Sequence, residues 1–166
     1  MDRIGISRRD YLLGTGALVL ATTLAGCGAR GRTPTPTPTR SPTEPTLGSE
    51  PDYGTWFDGV STYTGTEDWR GRETVTVIVG SKGSLGYFKF APPAVAVSPG
   101  TTVRFAWSGH GGSHDVVALD GSFTSGPLTD RPGHVFEHRF ETPGVHRYYC
   151  TPHRGMGMRG AVTVLA

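Results

Sequence analysis

An all-β sandwich, reached through an export signal and a Thr/Pro-rich linker, is the fold class this sequence predicts. Three observations carry that expectation. From Tyr53 onward the chain breaks into short runs with strand character, and glycine and proline, 25 and 13 residues in all, punctuate those runs at the spacing of a sandwich or barrel. No segment keeps a helical apolar period over about ten residues.

The elements follow in order. Thr74 to Val79 alternates, with Val75, Val77 and Val79 on one face, and Tyr87 to Phe90 and Ala94 to Val97 are short strands. In PGTTVRFAW a Pro-Gly turn precedes a strand that sets Val103, Phe105 and Trp107 on one face. Asp115 to Leu119, His134 to Phe140, Val145 to Cys150 and Ala161 to Leu165 bring the total to about eight strands. Asp52 to Arg72 holds several aromatics among turn residues and reads as a covering loop or an irregular first strand, with a short helix as the alternative. Such a domain needs no metal to build its core, so a metal site in it is functional.

Length and charge narrow the classes further. A chain of 166 residues suits one domain with a true core. The net charge of +2 gives no electrostatic footprint for nucleic acid. Only two cysteines are present, Cys27 and Cys150, which excludes a disulfide framework.

The first fifty residues read as an address and a tether. Arg8 and Arg9 precede an uncharged, mostly apolar stretch from Tyr11 to Ala25, shorter than the roughly 20 residues a spanning helix needs. SRRDYLL resembles a twin-arginine export signal, and Leu24-Ala25-Gly26-Cys27 resembles a lipobox. Residues 1–26 are therefore expected to be a signal peptide, and Cys27 a lipidated first residue of the mature chain. Residues 27–50 form a linker whose Thr-Pro repeats fix φ, remove backbone donors and offer nothing apolar to bury. Residues 53–166 are the folded domain, held at the extracytoplasmic face of the cell membrane.

The chemistry concentrates in CTPHRGMGMRG, from Cys150 to Gly160. His153 follows Cys150 at i+3 across a Thr-Pro step that discourages helix, so both side chains can converge from a tight loop. A thiolate, an imidazole and a thioether favour copper, and two histidines with one cysteine and a weak axial methionine make the electron-transfer copper geometry. The second histidine is best supplied by His114, in the glycine-rich bend GHGGSHDVV before an apolar strand. His110 is the weaker choice, because Gly111 and Gly112 leave its loop too pliable to aim it. His134 and His138 stand four apart on a strand, about 13 Å, too far to share one metal. Met156 and Met158 both remain available as the axial donor.

Those residues resemble a plastocyanin-type cupredoxin. CTPHRGMGM is similar to the family loop C-x-P-H-x-G-x-G-M, and Val75 to Val164 resembles the halocyanins, the membrane-tethered haloarchaeal members. The resemblance implies a Greek-key β-sandwich and one copper ion held by His114, Cys150, His153 and Met158, with Met156 at the loop surface. Two departures stand out. Asp115 occupies the place of an asparagine that ties the ligand loops together, and His146 stands where an aromatic is usual, as a structural histidine with a partner of its own. The function so implied is a monomeric blue copper carrier that cycles between Cu(I) and Cu(II). It would exchange single electrons with membrane redox complexes by weak docking, through the exposed edge of His153. Copper storage or delivery outside the cytoplasm is the alternative. An enzyme is not expected, since the His-x-His and His-Cys-His runs of multicopper oxidases and the cysteine pair of a dinuclear centre are missing from the sequence.

Overall fold

The computed structural model describes residues 45–166. The expected signal peptide, the lipidated Cys27 and most of the linker lie outside the described residues. Nine strands run in chain order: β1 (Glu67–Asp68), β2 (Thr74–Gly83), β3 (Gly86–Ala91), β4 (Ala94–Val97), β5 (Thr101–Trp107), β6 (Val117–Ala118), β7 (Val135–Phe140), β8 (Gly144–Tyr149) and β9 (Arg159–Val164). Among the described residues the one helical element is a three-residue 3-10 turn, Arg154–Met156.

The strands divide into a five-stranded sheet, β1-β4-β9-β8-β6, and a four-stranded sheet, β3-β2-β5-β7. Because β4, β5, β6 and β7 alternate between the two sheets, the topology is a Greek-key sandwich. Alternation in sequence becomes burial in register. Val75, Val77 and Val79 lie opposite Val103, Phe105 and Trp107 across the parallel β2–β5 ladder, and all six side chains are buried. Phe90, Phe105, Phe123 and Tyr148 fill the space between the sheets, with Phe105 and Tyr148 meeting edge to face at 5.2 Å.

All four residues of β4 are buried, because the segment before β2 covers the outer face of its sheet. That segment, expected as a covering loop or irregular strand, is a flap of turns ending in β1. Tyr53, Trp56, Phe57 and Val60 form a second small core against Ala94 and Ala161. Phe57 stacks on Tyr63 at 4.1 Å, Trp56 Nε1 donates to the Gly160 carbonyl at 3.0 Å, and the Tyr53 and Thr163 hydroxyls hydrogen-bond at 2.8 Å. Glu50 accepts hydrogen bonds from Thr66 and Tyr63, so the chain is fastened to the sandwich well before β2.

Strand ends near the loops that carry His114 and Cys150 differ from expectation for local reasons. β6 keeps only two residues, because the Val116 N–H is taken by Ser125 Oγ at 2.9 Å and the chain turns back at once, Ala118 N–H to the Phe123 carbonyl. β8 stops at Tyr149. Cys150 N–H bonds to the Met158 carbonyl at 3.1 Å and so closes a loop instead of extending the strand.

Candidate metal centre

The loop from Cys150 to Met158 is a nest of short turns. His153 N–H returns to the Cys150 carbonyl, Met156 and Met158 N–H both bond to the His153 carbonyl, and Gly157 N–H bonds to Arg154. Gly157 takes φ 77°, a left-handed conformation that spares glycine the Cβ clash, and this turns the chain so that Met158 points inward. The loop is therefore held by its own backbone.

His114 arrives from the β5–β6 connection. Its N–H and carbonyl exchange bonds with Thr129 at 2.9 and 3.0 Å, and Trp107 Nε1 also donates to that carbonyl at 3.2 Å. Nε2 donates to the His110 carbonyl at 2.8 Å, which fixes the tautomer and leaves Nδ1 with a free lone pair. Two glycines make room for the ring: a Cβ at Gly80 would lie 3.2 Å from Nε2, and one at Gly111 3.0 Å from it.

Three donor atoms meet. Cys150 Sγ is 3.6 Å from His114 Nδ1 and 3.3 Å from His153 Nδ1, and the two nitrogens are 3.1 Å apart. With metal–nitrogen bonds of about 2.0 Å and metal–sulfur bonds of about 2.3 Å, a trigonal set has edges of about 3.5 to 3.7 Å. The cluster is thus slightly tighter than a metal would hold it, and its soft sulfur with two imidazole nitrogens suits copper. Cys150 and His114 are buried, whereas His153 is half-buried. Met158 is fully buried in the same core as Cys150, while Met156, on the 3-10 turn, is half-buried.

Burial sets the electrostatics. It pushes the Cys150 thiol up to about 12, and it holds the His114 and His153 imidazoles below their ordinary range, His153 further so because His114 faces it. Without a cation the three donors are neutral: a thiol and two unprotonated rings. A metal supplies the charge that makes the thiolate worth burying.

Asp115 joins the two loops. Its Oδ1 accepts the Thr151 N–H at 2.6 Å, one residue from Cys150, and the side chain is 6% exposed. His110 contributes its carbonyl instead of its ring, which packs on Tyr87 at 4.6 Å. His134 meets Trp107 and His138 stacks on Phe123, both away from the cluster. His146 has a partner, Nε2 donating to the Thr142 carbonyl at 2.8 Å. Tyr149 turns to the flap side, with the Arg154 guanidinium 4.6 Å above its ring.

Sequence reasoning missed two residues of β3. Phe88 packs its ring 4.6 Å from that of His153 and 6.5 Å from that of His114. Lys89 is buried and donates to the Met156 carbonyl at 2.9 Å. The alternation in GYFKFA carried a usable signal for Phe88, which shares a face with core Phe90. It carried none for Lys89.

Comparison with known proteins gives a consistent result. Residues 75–165 match the copper binding proteins of the plastocyanin/azurin family. Halocyanin of Natronomonas pharaonis is 40% identical over 162 residues, covering 96% of this chain and 98% of its own. Chloroplastic plastocyanin of Pisum sativum is 35% identical over 101 residues, 54% of this chain and 58% of the relative. A solved mutant fern plastocyanin is 30% identical, covering 55% of this chain and all of its own, with a TM-score of 0.45.

Proposed function

Because this chain belongs to the plastocyanin/azurin family of copper-binding proteins and is a blue copper electron-transfer protein, we propose that it shuttles single electrons between membrane redox complexes from a lipid tether outside the cytoplasm. In this reading His114, Cys150, His153 and Met158 hold the ion. The observation that carries it is the convergence of Cys150 Sγ and the two Nδ1 atoms within 4.8 Å, from two loops that the backbone already fixes.

Bound copper supplies a one-electron couple, Cu(I)/Cu(II). The protein's part is to keep the donors still. Held by two loops that the backbone fixes, His114, Cys150 and His153 would keep the same positions around either oxidation state and so would reduce motion on electron transfer. The Thr129 pairing and the His110 carbonyl hold His114, while the Asp115–Thr151 hydrogen bond keeps its loop against the Cys150 loop. Met158 shields the centre from water. His153, the one partly exposed imidazole of the three-donor cluster, presents its edge to partners, and a small docking surface there suits contacts that must break quickly. The twin-arginine-like leader, the lipobox at Cys27 and the Thr/Pro linker support the tethered, extracytoplasmic placement, and the alignment with halocyanin extends over 96% of the chain. The same relatives support a carrier over an enzyme, and a single polypeptide without permanent partners suits it.

The decisive measurement is the visible and EPR spectrum of the copper-loaded protein beside its Cys150→Ser variant. The parent is expected to show intense thiolate-to-copper absorption, which the variant loses. A variant that stays blue would remove the ligand assignment. Irreversible voltammetry with ready Cu(I) transfer to an acceptor would favour storage or delivery instead.

A further inference from the structure

An ammonium rarely lies buried without a role or a partner, yet Lys89 is 2% exposed. Strand alternation places it on the face of β3 opposite Phe88 and Phe90, the face a reader of the sequence assigns to water. Here its stem runs over Gly83, where a Cβ would come within 2.8 Å of Lys89 Cγ. Its Nζ donates to the Met156 carbonyl at 2.9 Å and to the Gly157 carbonyl at 3.3 Å. Gly157 is gripped between this ammonium and the flap: a Cβ there would lie 2.8 Å from both Lys89 Nζ and the Gly59 carbonyl. Two glycines have thus given up side chains around one cation.

We propose that Lys89 is a positioning residue of the metal centre. Its ammonium pins the 153–158 loop from behind and, as a fixed positive charge there, biases bound copper toward the reduced state. The proposal rests on the copper reading above. The two carbonyls it holds immediately precede Met158, so slack at Lys89 passes along the chain to the sulfur that closes the site. The sign of the electrostatic effect follows from charge count. A copper–thiolate centre carries one more positive charge when oxidised, and a nearby cation raises the energy of that form more than of the reduced one. Desolvation, with a smaller contribution from Arg159, lowers the lysine's pKa, and the Met156 and Gly157 carbonyl oxygens stand in for the water the ammonium has lost.

Lys89→Met removes charge and donor at similar length, and Lys89→Gln removes the charge but keeps an N–H donor. Amide exchange in the metal-free proteins is one readout. The Gly157 and Met158 amides should exchange about tenfold faster in Lys89→Met, the scale of one lost hydrogen bond. The midpoint potential of the copper-loaded proteins is the other, and it should fall in both variants while the visible band persists. Unchanged or higher potentials in both, or unchanged exchange in Lys89→Met, would overturn the proposal. Should Lys89→Met fail to fold, the potential of Lys89→Gln decides. A parent protein that takes up no copper would overturn the copper reading alone, and amide exchange would still judge the clamp.

Discussion

Replacing Asp115 with alanine should loosen the two loops from each other. The carboxylate, itself only 6% exposed, accepts the Thr151 N–H at 2.6 Å and so joins its own loop to the exposed start of the Cys150 loop. A hydrogen bond to a charged acceptor contributes about 2 kcal/mol. For a domain of this size about 1 kcal/mol shifts Tm by about 4 °C, so metal-free Asp115→Ala should melt about 8 °C below the parent. Asp115→Asn keeps an acceptor oxygen and loses only the charge assistance, about half the effect, or about 4 °C. Differential scanning calorimetry of the three metal-free proteins measures both steps. Voltammetry of the copper-loaded forms adds a sign: loss of a negative charge beside His114 should raise the potential in each variant, because the oxidised centre loses the more stabilisation. A melting point for Asp115→Ala within about 2 °C of the parent, against the 4 °C expected per kcal/mol, would refute the idea that this bond ties the loops. A lowered potential in Asp115→Asn would refute the charge argument.

Met158→Leu should keep the thiolate absorption, raise the potential and cost less than about 1.5 kcal/mol, because the swap nearly conserves volume in a fully buried site. If Met156→Leu moved the potential further, Met156 would be the axial donor. Acid should weaken the metal-free fold. His114 and His153 have lowered pKa values when folded, so the folded chain binds fewer protons than the unfolded one; the stability they contribute is complete above the ordinary imidazole value of about 6.5 and is lost as pH falls through their folded values. Melting curves taken between about pH 8 and pH 5 should show Tm declining on the acid side. A flat profile would mean that the two rings protonate freely.

Much of this architecture was legible because its causes are local. Alternation at Val75, Val77 and Val79 names one side of a core, and the Pro-Gly turn before Thr101 names the start of β5. Cys150, His153 and Met158 could be grouped because a short loop leaves few ways to separate them. His114 needed a guess about topology, since its approach depends on pairing with Thr129 and on the His110 carbonyl, neither of which has a pattern in sequence. The flap was harder still: only the packing of Trp56 and Tyr53 on β9 turns an aromatic-rich loop into a second core. Lys89 stayed invisible for the same reason. The surface that hides it comes from a distant stretch of chain, and an isolated lysine on a strand looks solvated until that cover is known.

His114 is sealed inside while the ring of His153 reaches solvent, and this unequal exposure limits traffic. If electrons enter and leave by the edge of His153, as proposed, a reductant and an oxidant take turns at one doorway, and no three-body assembly passes charge straight through. Crowding by either reactant would then slow the other. The ceiling on throughput would then be set by how soon each visitor leaves, and a stickier surface around His153 would make a poorer courier.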